Sequence, residues 1–125
     1  MLKPIIFTAI VLGVIGGVPG VGAAETVRLN CRFDVYASPD GLGAEDFNLE
    51  YLIDTITEKA FLVGNLGVSE VVMVSGGYGV SFYELLATGA MQSTSMTYDG
   101  QAVHSRHTMV ATNEMILSQY YGLCE

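Results

Sequence analysis

The chain has 125 residues, half of them hydrophobic, and a formal net charge of −8, with thirteen acids against five lysines and arginines. So few cations cannot neutralise several phosphates, which excludes nucleic acid as a partner. Its two cysteines form no C-x-x-C pair, so neither a zinc ribbon nor a dithiol redox motif is present.

Lys3 precedes an uncharged apolar run from Pro4 to Val18, and the small residues Gly20-Val21-Gly22-Ala23-Ala24 follow. This is the plan of a cleavable export signal, with cleavage expected after Ala23 or Ala24. The run is short, carries Gly13, Gly16 and Gly17 and is broken by Pro19, whereas a spanning helix needs roughly 20 apolar residues. Cys31 stands behind the charged Glu25 and Arg28, too late for lipid attachment. The mature chain, residues 25–125, is therefore expected to be periplasmic or secreted, with no membrane anchor and a charge of −9 once Lys3 is gone. Scattered acids keep a small exported protein in solution, and they also favour a cationic protein as partner.

In an oxidising compartment Cys31 and Cys124, one near each end of the mature chain, are expected to pair. Closing a loop of roughly 90 residues removes about 4.5 kcal/mol of denatured-state freedom in the chain-entropy model. No linker, repeat or low-complexity tract divides residues 25–125, so a single domain is expected.

Strand signals dominate that domain. Val27, Leu29, Cys31, Phe33 and Val35 alternate with Arg28, Asn30, Arg32, Asp34 and Tyr36, which puts Cys31 on the apolar face of a first strand. After the turn residues Ser38-Pro39-Asp40-Gly41-Leu42-Gly43, a second strand takes in Phe47, Leu49, Tyr51 and Ile53. A third runs near Lys59 to Val63, and Gly64-Asn65-Leu66-Gly67 turns the chain into Val68 to Val74. Ser75-Gly76-Gly77-Tyr78-Gly79 turns it into Val80 to Leu86, and Thr88-Gly89 marks the next boundary. Asp99-Gly100 suits a two-residue type I′ turn between Ala90–Tyr98 and Gln101–Val110, and Met115 to Leu123 forms an eighth strand. The expected fold is all-β, an antiparallel meander closed into an eight-stranded barrel and tied by the disulfide. An open sandwich, or a sheet with a helix over Ala44 to Ile56, is the alternative.

A two-residue turn at Asp99-Gly100 would set Ser95 opposite His104, Ser93 opposite Arg106 and Gln92 opposite His107. His107 would then share the inward face of Met96, Tyr98, Val103 and Met109 as a buried neutral imidazole, paired with Gln92. His104 and Arg106 would form an exposed ledge able to hold an anionic or polar partner, or simply to face water. Three apart on one strand, the two histidines leave opposite faces and cannot grip one metal ion, so no metal or cofactor is expected. No G-x-S-x-G elbow or acid-oriented Ser–His pair occurs, so an enzyme is not expected. The Ser75, Gly76, Gly77 and Tyr78 loop is the other candidate contact, either a binding finger or a plain flexible turn.

Ala102-Val103-His104-Ser105-Arg106-His107-Thr108 and Ser118-Gln119-Tyr120-Tyr121-Gly122-Leu123-Cys124 resemble small exported bacterial β-proteins to which no activity is attached. That resemblance implies a signal peptide and a β-rich fold. In plan, with an export signal, a small barrel and a disulfide joining its ends, the chain also resembles the periplasmic inhibitors of C-type lysozyme, and Ser75-Gly76-Gly77-Tyr78 is similar to their Ser-Gly and Tyr loop. That likeness implies a partner that is cationic and is blocked by loops. The expected function is an exported non-enzymatic binding module that contacts its partner through Ser75–Tyr78 and the His104–Arg106 ledge. A small-ligand-binding barrel is the alternative, and a histidine-dependent enzyme a more distant one.

Overall fold

The computed structural model describes residues 25–64 and 67–125, and the expected leader, residues 1–24, lies outside them. Eight antiparallel strands follow in chain order: β1 (Thr26–Ser38), β2 (Gly41–Asp54), β3 (Lys59–Gly64), β4 (Gly67–Ser75), β5 (Gly79–Leu85), β6 (Met91–Thr97), β7 (Gln101–Ala111) and β8 (Glu114–Cys124). Each pairs with its neighbour in sequence and β8 returns to β1, so the sheet closes into a barrel, and no helix occurs among the described residues. Of Ala44 to Ile56, readable at helical spacing, Ala44 to Asp54 lies in β2 and Thr55-Ile56 begins the turn, because Phe47, Leu49, Tyr51 and Ile53 match β1 residue for residue.

Inward residues of every strand fill the interior. Leu29, Cys31, Phe33, Leu49, Tyr51, Ala60, Leu62, Val71, Phe82, Met96, Ala102, Tyr120 and Cys124 form one buried cluster. The Tyr51 ring stacks on Phe82 at 4.2 Å between centroids, and Phe33, Phe47 and Tyr120 make a second aromatic group with centroid spacings of 4.6 to 6.5 Å. One departure from simple alternation occurs on β1. A bulge between Phe33 and Val35 leaves both Asp34 and Val35 exposed and brings Tyr36 inward, against the expectation that Val35 faces the core.

Closure takes place where Cys31 faces Cys124. Their disulfide is flanked by reciprocal backbone bonds, Asn30 N–H to Glu125 O and Glu125 N–H to Asn30 O, both 2.8 Å. Beyond it β8 crosses β1 so closely at Gly122 that an added Cβ would overlap the Arg32 carbonyl oxygen, which is why a residue without a side chain stands there.

The four strands that meet at this closure are the long ones. β1, β2, β7 and β8 have 13, 14, 11 and 11 residues against 6, 9, 7 and 7 for β3 to β6. The barrel therefore has one tall wall and one low wall. The rim with the β2–β3, β4–β5 and β6–β7 connections is level. At the opposite rim the β1–β2 and β7–β8 hairpins rise past their neighbours.

Because the disulfide spans 93 residues and closes the last seam, its removal costs about 4.5 kcal/mol on the chain-entropy scale. A Cys31→Ala/Cys124→Ala variant should melt at least roughly 10 °C lower than the oxidised protein in a calorimetric scan. An unchanged midpoint would mean that the seam holds without the covalent tie.

Candidate functional site

The β6–β7 hairpin decides which side chains reach the interior. Asp99-Gly100 is indeed in the turn, but the turn has three residues: Met96 faces Ala102, Thr94 faces His104 and Gln92 faces Arg106. Gly100 takes φ +99 while Asp99 stays at negative φ, and Gly100 N–H donates to Thr97 O at 3.0 Å. A type I′ turn needs positive φ at both central residues, whereas a type I turn followed by a left-handed glycine needs it only at the last. Thr97 fixes the longer form, because its hydroxyl bonds the Asp99 carboxylate and accepts from Gln101 N–H.

A one-residue change of register turns every side chain of the partner strand over. The expected ledge is therefore corrected. His104 is fully buried in the barrel, Arg106 lies inward and half-buried, and His107 is on the outer wall, half-buried opposite Leu117. Gln92, expected beside His107, donates instead to Glu84 at 2.8 Å. Ser95, expected opposite His104, bonds Ser81 at 2.7 Å on the outside.

Inside, a chain of hydroxyl and imidazole groups crosses the barrel. Tyr51 Oη lies 2.6 Å from Thr94 Oγ1, and Thr94 Oγ1 lies 2.7 Å from His104 Nδ1. Nothing bonds His104 Nε2, although the ring is packed against Phe33, Phe47 and Tyr120 at 5.6 to 6.0 Å. Burial, with the Arg106 charge adding to it, holds the imidazole neutral by lowering its pKa to about 4. Burial likewise pushes the Tyr51 phenol up to about 12, the Thr94 bond pulling the other way and the Glu84 charge adding to the rise. No nucleophile with an orienting acid is assembled by these groups. Among the described residues no group of three His, Cys, Asp or Glu stands close enough to hold a metal ion.

Above this chain Arg106 lies over two rings, its guanidinium carbon 5.2 Å from the Phe47 centroid and 5.9 Å from that of Tyr120. The sequence contained a signal for this arrangement. With Met96 inward, period-2 alternation also sends Thr94 and Gln92 inward, where each needs a polar partner: Thr94 finds His104 on β7 and Gln92 finds Glu84 on β5.

At the level rim, the Ser75–Gly79 connection presents Tyr78, which is 94% exposed. Gly76 N–H donates to Gly79 O at 2.8 Å, and the Tyr98 hydroxyl donates to Gly76 O, tying this loop to the β6–β7 turn. Ser75, Gly76, Gly77 and Tyr78 thus belong to a braced loop. Five residues of β6, about 17 Å of strand, separate this rim from the level of Arg106, so the two expected contact surfaces lie at opposite ends. Glu25, Asp54, Glu58, Asp99 and Glu125 surround the Tyr78 rim, with Lys59 and the Glu50-paired Arg28 as the nearby cations. Asp54 is held below the usual carboxylate range by backbone N–H groups of Thr57 and Ile56, and Asp99 by the Thr97 hydroxyl. A groove of about 610 Å³ leads from this rim along the outer wall past Arg32, Asp34 and Glu50.

No protein-family model, no curated protein and no solved structure matches the chain.

Thr94→Val keeps the shape of the side chain but strands two buried polar atoms, so chemical denaturation should show a loss of about 2–5 kcal/mol. Acid should act through His104. The unfolded chain takes up a proton below its ordinary value of 6.5, which the native imidazole refuses until about pH 4. Stability contributed by the neutral ring is therefore complete above pH 6.5 and falls by about 3 kcal/mol as the pH drops across that window. Denaturation midpoints of the wild type and His104→Gln at pH 7 and pH 4.5 should differ in slope accordingly. Parallel pH profiles would contradict the assignment.

Proposed function

We infer that the mature protein is an exported, non-enzymatic binding module that captures a cationic protein at the level rim of the barrel. The observation carrying this is Tyr78, 94% exposed on a loop braced by Tyr98, at the rim whose strand ends also carry Glu25, Asp54, Glu58, Asp99 and Glu125. An aromatic side chain with few rotatable bonds, held out on a braced loop, loses little entropy on docking and is the kind of residue that dominates interface energy. The surrounding carboxylates, two of them held ionised into the acid range, steer a positively charged partner towards the same rim. The likeness in plan to the inhibitors of C-type lysozyme supports an enzyme of that cationic class, blocked by the loop. His104 serves the fold on this account, since its ring is buried and neutral.

The test is inhibition of a C-type lysozyme by the oxidised mature protein at low and at physiological salt. Inhibition should weaken as salt rises, and Tyr78→Ala, a change at an exposed position, should weaken it about tenfold or more while leaving the melting temperature unchanged. Full lysozyme activity at every inhibitor concentration, together with no cationic protein retained from a periplasmic extract, would overturn the proposal.

A further inference from the structure

The opposite end of the barrel has a different chemistry, and it does not rest on the Tyr78 loop. There β6 leaves β7 at Gln92–Arg106 and β3 leaves β2 at Glu50–Val63, while β7–β8 continue to Ala111–Glu114 and β1–β2 to Ser38–Gly41. The tall wall thus stands over a mouth that the low wall leaves open. Arg106 sits at the level of that opening, on the inner face.

Two polar groups at this mouth lack what their surroundings ordinarily supply. The Arg106 guanidinium rests on the faces of Phe47 and Tyr120, yet among the described residues no carboxylate or carbonyl accepts from it. The ion pair formed elsewhere is Arg28–Glu50, and Glu84, one strand beyond Gln92 in the register row of Arg106, accepts from Gln92. The His104 imidazole, bordering the same two rings at 5.6 and 6.0 Å, has a fully buried Nε2 with no partner. A half-buried fork of five N–H donors backed by aromatic faces is the arrangement that takes a carboxylate with two parallel bonds. Above it, the tall wall offers apolar surface on its inner side: Tyr36, half-buried against Tyr120 at 5.1 Å, and Ile116, 43% exposed and in phase with the buried Ser118 and Tyr120.

We propose that this mouth binds a small monocarboxylate with an apolar or aromatic body. Arg106 holds the carboxylate, and the body lies along Tyr36, Phe47 and Ile116. One guanidinium within a chain of formal net charge −8 balances one negative charge, so the site selects a monoanion over inorganic phosphate and over a neutral analogue.

The test uses the oxidised mature protein and NMR at fixed ionic strength, with benzoate, its neutral analogue benzamide and inorganic phosphate as probes. Benzoate should give saturable shifts of the Arg106 Nε–H and of the His104, Phe47 and Tyr120 ring signals. Benzamide and phosphate should bind at least tenfold more weakly, and Arg106→Gln should weaken benzoate at least tenfold. Arg106→Lys keeps the charge without the fork and should fall between them. Benzamide or phosphate binding as tightly as benzoate, benzoate binding unchanged in Arg106→Gln, or no saturable shift would each overturn the proposal. The probe comparison on the wild type stands even where a variant fails to fold. Tyr78→Ala should retain the benzoate shifts, which separates this site from the protein-docking rim.

Discussion

Closure of β1 onto β8 is the contact on which the rest of the molecule depends. Until those two strands pair, both present unpaired backbone groups and the interior of the barrel is not enclosed. The seam is secured in three ways at once: the Cys31–Cys124 bond, the reciprocal Asn30–Glu125 backbone pair beside it, and the close passage of Gly122 over Arg32 and Phe33. These contacts join chain segments about ninety residues apart. The entropy of bringing them together opposes closure, and the covalent tie removes much of that cost from the unfolded side.

Within the closed barrel, the turn at Thr97–Gln101 sets the chemistry of the interior. Gly100 at positive φ sets Thr94 opposite His104 and Gln92 opposite Arg106. From that single register follow the Tyr51–Thr94–His104 chain, the neutral imidazole and the guanidinium on its two rings. With the other register Val103 and His107 would face the core, and His104 and Arg106 would lie in water.

This is also where legibility in the sequence ended. The alternation of Val27 to Phe33, the pairing of the two cysteines and the turns near Pro39-Asp40, Gly76–Tyr78 and Thr88-Gly89 are local or compositional signals, and the strands and barrel agree with them, although β2 begins at Gly41, inside the stretch expected to turn, and Asn65-Leu66 lies outside the described residues. The length of the Asp99-Gly100 turn is not such a signal, because the same dipeptide serves two-residue and three-residue hairpins. The choice was made by the Thr97 hydroxyl. Hydropathy then pointed the wrong way, since Val103, His107 and Met109 outweigh Ala102, His104 and Arg106 as apolar candidates. The core chose by available partners: Thr94 and Tyr51 satisfy an imidazole, and two rings cover a guanidinium. The contacts of Arg106 lie on β2 and β8, distant in sequence, and the bulge that brings Tyr36 to the same mouth left no local mark.

Burial of His104 is thus the point at which fold and chemistry stand together, and the proton spectrum of its ring tests it most directly. The account predicts nuclear Overhauser contacts from the imidazole to the Phe33, Phe47 and Tyr120 rings, and ring shifts that stay constant from pH 8 down to about pH 5. An imidazole without those contacts, titrating at its ordinary value, would place His104 on the outer wall and contradict the register from which both ends of the barrel are explained.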